Sequence, residues 1–171
     1  MVNLRRLQSQ DQPQVLAIYR EAVRGLAPER YEPAQVRAWA RQAEADAPML
    51  RRCLERGWGL VSCDSDGLPR AFAVLDPPER VALLYCHPHF TRQGRASALL
   101  EALEEQARRL GVGELRTEAS VLSRPLFARR GWRVSWIEEL RIGGIGFRRF
   151  RMALPLDLSL GRPEEGSGPG A

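Results

Sequence analysis

Between Trp58 and Leu110 the chain passes from short apolar runs to one long amphipathic segment across a glycine-bearing loop, an order that few folds accommodate. Residues 59–63, 70–75 and 81–86 each have the length and composition of a buried or half-buried strand. Asp66-Gly67 supplies a hairpin turn between the first and second, and Pro77-Pro78 interrupts before the third. Connections this short fold as an antiparallel meander, because parallel neighbours need a long crossover. After Gly94 the residues Leu99, Leu100, Leu103, Ala107 and Leu110 recur at helical spacing. Gly111 ends that helix with Arg108 and Arg109 in its last turn, where the helix dipole favours cations.

Residues 2–8 predict a short strand, and Asp11 with Gln14 three positions later predicts a capping box opening a helix that carries Val15, Ile18, Tyr19, Ala22, Val23 and Leu26 on one face. A second helix is expected from Pro33 to Ala45 and a short third from Pro48 to Gly57. Beyond the long helix, Leu115–Ala119 predicts a strand, residues 123–130 a short helix, and Val134–Ile137 with Phe147–Leu154 a closing strand pair. Residues 157–171, rich in Gly, Pro, Ser and Glu, read as a flexible tail, so a single α/β domain is expected over residues 1–156.

Composition narrows the chemistry. All 26 basic residues are arginine, which excludes a Walker lysine, a kinase-type lysine and a pyridoxal Schiff base. The histidines His87 and His89 are the only two, too few for a histidine-rich metal or haem site. Cys53, Cys63 and Cys86 form no CxxC pair, which fits neither a disulfide framework nor a zinc finger and favours a reducing, cytoplasmic setting. No stretch approaches the roughly 20 apolar residues of a membrane span, and the N-terminus lacks the apolar run of a signal peptide, so no membrane partner is expected. A net charge of +5 implies an anionic partner without saying which.

Where that charge sits is more informative. In Thr91-Arg92-Gln93-Gly94-Arg95-Ala96-Ser97 a loop becomes a helix, so unpaired backbone N–H groups face outward with the positive dipole end behind them. Gly94 allows an anion to approach the backbone, Ala96 and Ser97 do not crowd it, and Arg92 and Arg95 suit phosphate oxygens. A diphosphate fits this site.

The segment 91–96, preceded by His87-Pro88 and followed by a leucine-rich helix, resembles the cofactor loop of the GNAT N-acetyltransferase superfamily, with Thr91 departing from the Gln or Arg usual at the first position. The likeness extends through Thr117-Glu118-Ala119-Ser120, through Arg124 to Trp132, and to the final Phe147–Met152 strand. It implies a mixed, mostly antiparallel central sheet of six to seven strands flanked by helices, with a splayed strand pair holding acetyl-CoA, and acetyl transfer to the amine of a small molecule or peptide. Cofactor contacts are then implied at Tyr85, Cys86, His87, Arg92, Gln93, Gly94, Arg95, Ala96, Ser97, Ser123 and Phe127. Freed N–H groups around Tyr85 to His87 would bind pantetheine and polarise the thioester carbonyl. Glu118 is the leading candidate base, with Tyr85 and His87 as alternatives. The family's usual proton-donating tyrosine is replaced here by Phe127. Tyr19, Tyr31 and Trp39 are candidates for the acceptor pocket or for core packing, and Cys86 for a covalent acyl route.

Two rival functions stand beside this one. Phe127 fits a non-catalytic acyl-CoA-binding module, and Arg141, Arg148, Arg149 and Arg151 near Phe147 and Phe150 fit a nucleic-acid binder, the less favoured reading because strand alternation separates those arginines between faces. A homodimer is left open.

Overall fold

A computed structural model describes residues 1–45 and 47–161. Its centre is a seven-stranded sheet. The strands are β1 (Asn3–Arg6), β2 (Trp58–Cys63), β3 (Pro69–Leu75), β4 (Arg80–Cys86), β5 (Glu114–Ala119), β6 (Arg133–Ile142) and β7 (Ile145–Pro155), in the spatial order β1-β2-β3-β4-β5-β7-β6. All neighbours are antiparallel except β4 and β5. The helices are α1 (Gln12–Leu26), α2 (Pro33–Ala45), α3 (Ala47–Arg56), α4 (Arg95–Arg109) and α5 (Arg124–Arg129).

Alternation along the strands sorts the core into two layers. Ala71, Ala73 and Leu75 of β3 face α4, packing with Leu99, Leu100, Leu103 and Ala107 and with Leu115, Ala119 and Met152 from the far half of the sheet. Phe72 and Val74 face the other way, onto Val15, Ile18, Tyr19 and Val23 of α1 and Leu50 and Leu54 of α3. A third, smaller cluster joins Ala27, Tyr31 and Phe147, with Trp39 and Ile142 against it, and attaches the first helices to the last hairpin.

The parallel pair is what positions the site. β4 and β5 share only the register pairs Arg80↔Arg116 and Val81↔Thr117 and then diverge. At the divergence the Thr117 hydroxyl donates to the Val81 carbonyl at 2.9 Å, adding a side-chain bond between the two strands where their ladder ends. β4 stays paired with β3 through Cys86, and β5 stays paired with β7 through Ala119, so a cleft opens between two otherwise intact half-sheets.

Several expectations need correcting. Asp11 does not cap α1 with Gln14: its carboxylate turns back to accept from the Gln8 N–H at 2.9 Å and from Arg5 at 2.7 and 2.8 Å, while Gln14 reaches the Pro69 carbonyl. The charge attraction and bidentate geometry outcompete a neutral amide cap. The closing strands are longer than the apolar runs indicated, because Glu138 and Glu139 pair across the hairpin with Arg149 and Arg148, so polar residues continue the ladder. Within the expected tail, Leu158–Gly161 form a 3-10 turn, with the Asp157 carboxylate accepting from the Ser159 N–H and hydroxyl, and residues 162–171 lie outside the described residues.

Glu104 of α4 is a buried carboxylate with 3% side-chain exposure, held by Arg130 at 2.7 and 3.1 Å and by the Trp132 indole N–H at 2.9 Å. It fixes α5 and the start of β6 to α4. Glu104→Ala strands a guanidinium and a buried indole N–H, and is expected to lower unfolding free energy by about 3 kcal/mol in a urea titration. Glu104→Gln keeps one oxygen that the Trp132 indole and Arg130 Nε can share, and is expected to lose roughly half as much.

Candidate active site

A cavity of about 500 Å³ follows the splay between β4 and β5, from the N-terminus of α4 to the space beneath α1 and α2. Its first part is backbone. Gly94 adopts φ 77° and ψ 0° and caps α4 with no side-chain hydrogen bond, and the first intrahelical bond runs from the Ala98 N–H to the Gly94 carbonyl at 2.9 Å. The N–H groups of Arg95, Ala96 and Ser97 therefore have no intrahelical acceptor. A methyl added at Gly94 would meet nothing within 4 Å, so the loop stands open above the helix end. Arg92, at φ 59°, is the only non-glycine residue with a positive φ among those described. Left-handed residues close together form a concave array of N–H groups suited to an anion.

The loop is anchored by its side chains. Phe90 lies between the Arg70 and Arg95 guanidiniums, at 4.6 and 5.6 Å from its ring centroid, and the Thr91 hydroxyl donates to the Pro88 carbonyl at 3.0 Å. Arg95 lines the cavity, yet its guanidinium donates to the Ser62 hydroxyl at 2.9 Å and the Cys63 carbonyl at 2.8 Å. Its Nη1 is thus committed to β2, which holds the side chain against that strand. Arg92 and Arg129 line the cavity without an ion pair among the described residues. Gln93 lies outside the lining and accepts from Arg95 at 3.4 Å.

The second part is the free edge of β4. The His87 N–H donates to the Arg70 carbonyl on β3 at 2.8 Å, and the registers Phe72↔Tyr85 and Val74↔Leu83 continue that alternation. In an antiparallel ladder alternate residues point to opposite sides, so the Leu84 and Cys86 N–H groups face the cleft and those of Tyr85 and His87 do not. A register irregularity at Val74/Leu75, opposite Ala82, sets this phase. Of the donors expected around Tyr85 to His87, the ladder thus leaves Cys86 facing the cleft and adds Leu84. The His87 ring, outside the lining, accepts from the His89 N–H at 3.2 Å, and burial holds its pKa below the usual imidazole value. The Cys86 thiol donates to the Phe90 carbonyl at 3.4 Å and burial pushes it up to about 11, the opposite of what a covalent nucleophile requires.

Tyr85 faces α1, with its ring edge-on to Tyr19 at 4.5 Å and stacked on Phe72 at 5.7 Å. Helical spacing indicated core packing for Tyr19 and Trp39: Tyr19 is core, whereas Trp39 packs half-buried against the core and, with Tyr31, lines the cavity. Glu118 also lines it, but its carboxylate already accepts from Arg80 Nε at 3.0 and 3.3 Å and from Arg151. Arg151 further binds Glu138, which Arg149 also holds, giving a chain of alternating charges across β4, β5, β7 and β6. Ser123 and Ser120 exchange hydrogen bonds at 3.0 to 3.1 Å, each hydroxyl accepting from the other residue's N–H, so Ser123 closes the turn into α5 while lining the cavity. Phe127 is buried edge-on to Trp132 at 4.9 Å.

Arg80 and Glu138 escape sequence reasoning, and nothing in the sequence joins Arg149 and Arg151 to Glu118. A period-2 pattern assigns each a face, but only the register places five charges in one row. The same ion pairs engage Arg148, Arg149 and Arg151, while Arg141 donates to the Gly144 carbonyl. Those arginines are consequently not an open phosphate-binding stripe.

A splayed parallel pair beside an open helix N-terminus is an arrangement suited to a long phosphorylated cofactor. Residues 27–154 match the family described as Acetyltransferase (GNAT) domain, and the chain belongs to that family. It is 28% identical over 151 residues, 88% of this chain and 94% of the relative, to the uncharacterized N-acetyltransferase YafP of Escherichia coli K12. Among solved structures it is similar to a GCN5-related N-acetyltransferase from Rhodopseudomonas palustris, with TM-score 0.82 and 28% identity over 91% of this chain and 96% of that one. The fold is also that of the PaiA N-acetyltransferase from Thermoplasma acidophilum, crystallised with coenzyme A, at TM-score 0.69 and 17% identity over 91% and 99% of the two chains. The family's acyl donor is acetyl-CoA. The open α4 terminus and the cleft-facing N–H groups of β4 fit a diphosphate joined to an extended amide-bearing arm.

Hydrogen bonds from Arg149 and Arg151 hold the Glu138 carboxyl down at about 2, against an ordinary 4.5. A carboxyl whose folded pKa is depressed contributes stability above its unfolded pKa and loses it as pH falls toward the folded value. The melting-temperature gap between the native chain and Glu138→Gln is expected to be constant above about pH 5 and to close progressively toward pH 2. A gap unchanged at pH 3 would show that the ion pairs contribute nothing.

Proposed function

We propose that this chain transfers the acetyl group of acetyl-CoA to a primary amine of a small molecule or peptide by direct attack. The observation that carries this is the adjacency of the unbonded α4 N–H groups to the cleft-facing N–H groups of Leu84 and Cys86. When bound, acetyl-CoA supplies an activated acetyl thioester. The N–H groups of Arg95, Ala96 and Ser97, helped by the Arg92 and Arg129 guanidiniums, bind the diphosphate. Gly94 keeps the approach to those amides clear. The Leu84 or Cys86 N–H donates to the acyl oxygen, where negative charge develops during attack, and being fixed in a sheet it needs no reorganisation.

An alkyl ammonium titrates near pH ~10.4 and has no lone pair, so the acceptor must arrive or become neutral. Glu118 is suited to orienting the amine rather than to removing its proton, because both carboxylate oxygens already accept from guanidiniums. The row Arg80, Glu118, Arg151, Glu138 and Arg149 carries three cations and two anions. A net positive wall disfavours a bound ammonium and lowers the amine pKa, so deprotonation through water becomes easier. Tyr85, packed on Tyr19 and Phe72, gives the reacting end a rigid wall. No side chain need protonate the departing sulfur, since a thiol titrating near ~8.5 leaves readily as thiolate, which accommodates Phe127 where a tyrosine is usual.

Acetyl-CoA at about 100 times its dissociation constant is expected to stabilise the chain by about 2.7 kcal/mol, seen as a raised melting temperature. No shift at millimolar acetyl-CoA would overturn the proposal. Intact binding with no turnover of a broad amine panel would leave the non-catalytic module in its place. Glu118→Gln is expected to raise KM for the amine about tenfold with little change in kcat. A fall in kcat of about 100-fold or more, with a displaced pH profile, would make Glu118 the base after all.

A further inference from the structure

The acceptor end of the cavity differs in chemistry from its cofactor end. Tyr31, Trp39 and Phe147 form an aromatic group there, with Tyr31 edge-on to Trp39 at 5.5 Å and tilted against Phe147 at 5.7 Å. Val23 and Leu26 of α1 and Ile142 of β6 complete the wall. The Tyr31 hydroxyl accepts from the Val121 N–H at 3.3 Å, which ties the aromatic group to the loop leaving β5. Its charged lining is equally one-sided. Arg148 and Arg149 of β7 line this end, ion-paired with Glu139 and Glu138, and among the described residues its single lining carboxylate is Glu118, itself paired with Arg80 and Arg151.

An apolar pocket with one polar end selects the body of its ligand by burial and its orientation by the polar group. A second ammonium on the acceptor would have to enter either the aromatic wall, at a desolvation cost, or the arginine-lined rim, against like charge. Among the described lining residues no carboxylate other than Glu118 is present to receive it. An aromatic or aliphatic body meets no such penalty and buries against Trp39, Tyr31 and Phe147.

We infer that the acceptor is a monoamine on an apolar, aromatic body, and that polyamines, aminoglycosides and lysine-rich peptides are excluded. This rests on the acetyl-transfer function proposed above and names its substrate class. The pocket is specified by α2 and the β6–β7 hairpin, which do not form the cofactor loop.

Calorimetric binding on the chain without acetyl-CoA, using 2-phenylethylamine and spermidine, tests the pocket independently of turnover. Binding of 2-phenylethylamine at least ~10-fold tighter than spermidine is expected, and equal or inverted affinities would overturn the inference. In steady-state assays kcat/KM for 2-phenylethylamine is expected to exceed that for spermidine by roughly 100-fold. Two variants separate wall chemistry from folding. Trp39→Leu is expected to weaken 2-phenylethylamine about tenfold with acetyl-CoA binding unchanged, and Ile142→Glu, half-buried at the rim, to reverse the preference toward spermidine. A uniform change for both amines in either variant would refute the assignment. Loss of acetyl-CoA binding by the native chain would refute acetyl transfer instead, with the calorimetric ranking still deciding the pocket.

Discussion

Val81 and Thr117 are the last residues that β4 and β5 share, and the site depends on their parting there. Continued parallel pairing would bury the β4 edge in ladder hydrogen bonds and leave no cleft. Parting leaves backbone groups that must find partners, which is costly in a sheet interior. The fold answers in three ways. Thr117 adds its hydroxyl to the Val81 carbonyl and so ties the two strands together where the ladder ends. The irregularity opposite Ala82 turns the Leu84 and Cys86 N–H groups into the gap. The two half-sheets are then held apart by elements that bridge them: α4 beneath, with leucines packing on both halves, and the Tyr31–Trp39–Phe147 group above.

Arginine is the chain's only positive side chain apart from histidine, and its planar fork shapes the interior differently from lysine. Arg95 reaches back to β2 and braces the loop that it was expected to serve directly. Arg130 satisfies a buried carboxylate jointly with an indole N–H. Arg80, Arg149 and Arg151 join two carboxylates in a row that crosses four strands, so rigid pairing replaces the mobile ammonium that a lysine would offer. Many of the arginines are therefore neutralised in ion pairs, whereas Arg92 and Arg129 at the cavity have none among the described residues.

Local signals carried much of the fold. Helical spacing in α1, α2 and α4, the Asp66-Gly67 turn and the glycine opening α4 each depend on residues within a few positions of one another, and each appears where the sequence placed it. The Asp11 cap failed because Arg5, outside the helix, offered a charged partner. The ends of β6 and β7 were hidden because cross-strand Glu–Arg pairs do not look like strand signals in one dimension. At the site, the loop from Arg92 to Ser97 was legible since its chemistry is backbone chemistry, governed by glycine and a helix start.

What the sequence determined by itself was the order of elements, the glycine-opened helix start at residues 92–97 and the exclusion of chemistry that needs a lysine amine. Only the tertiary structure decided which β4 N–H groups face the cleft, that Glu118 is held by two guanidiniums, and that Tyr31, Trp39 and Phe147 meet across more than a hundred residues of chain. The reason is physical. Periodicity assigns a residue to a face, whereas ladder phase, ion pairing and cavity walls depend on the relative register of strands distant in sequence, which local preferences do not encode.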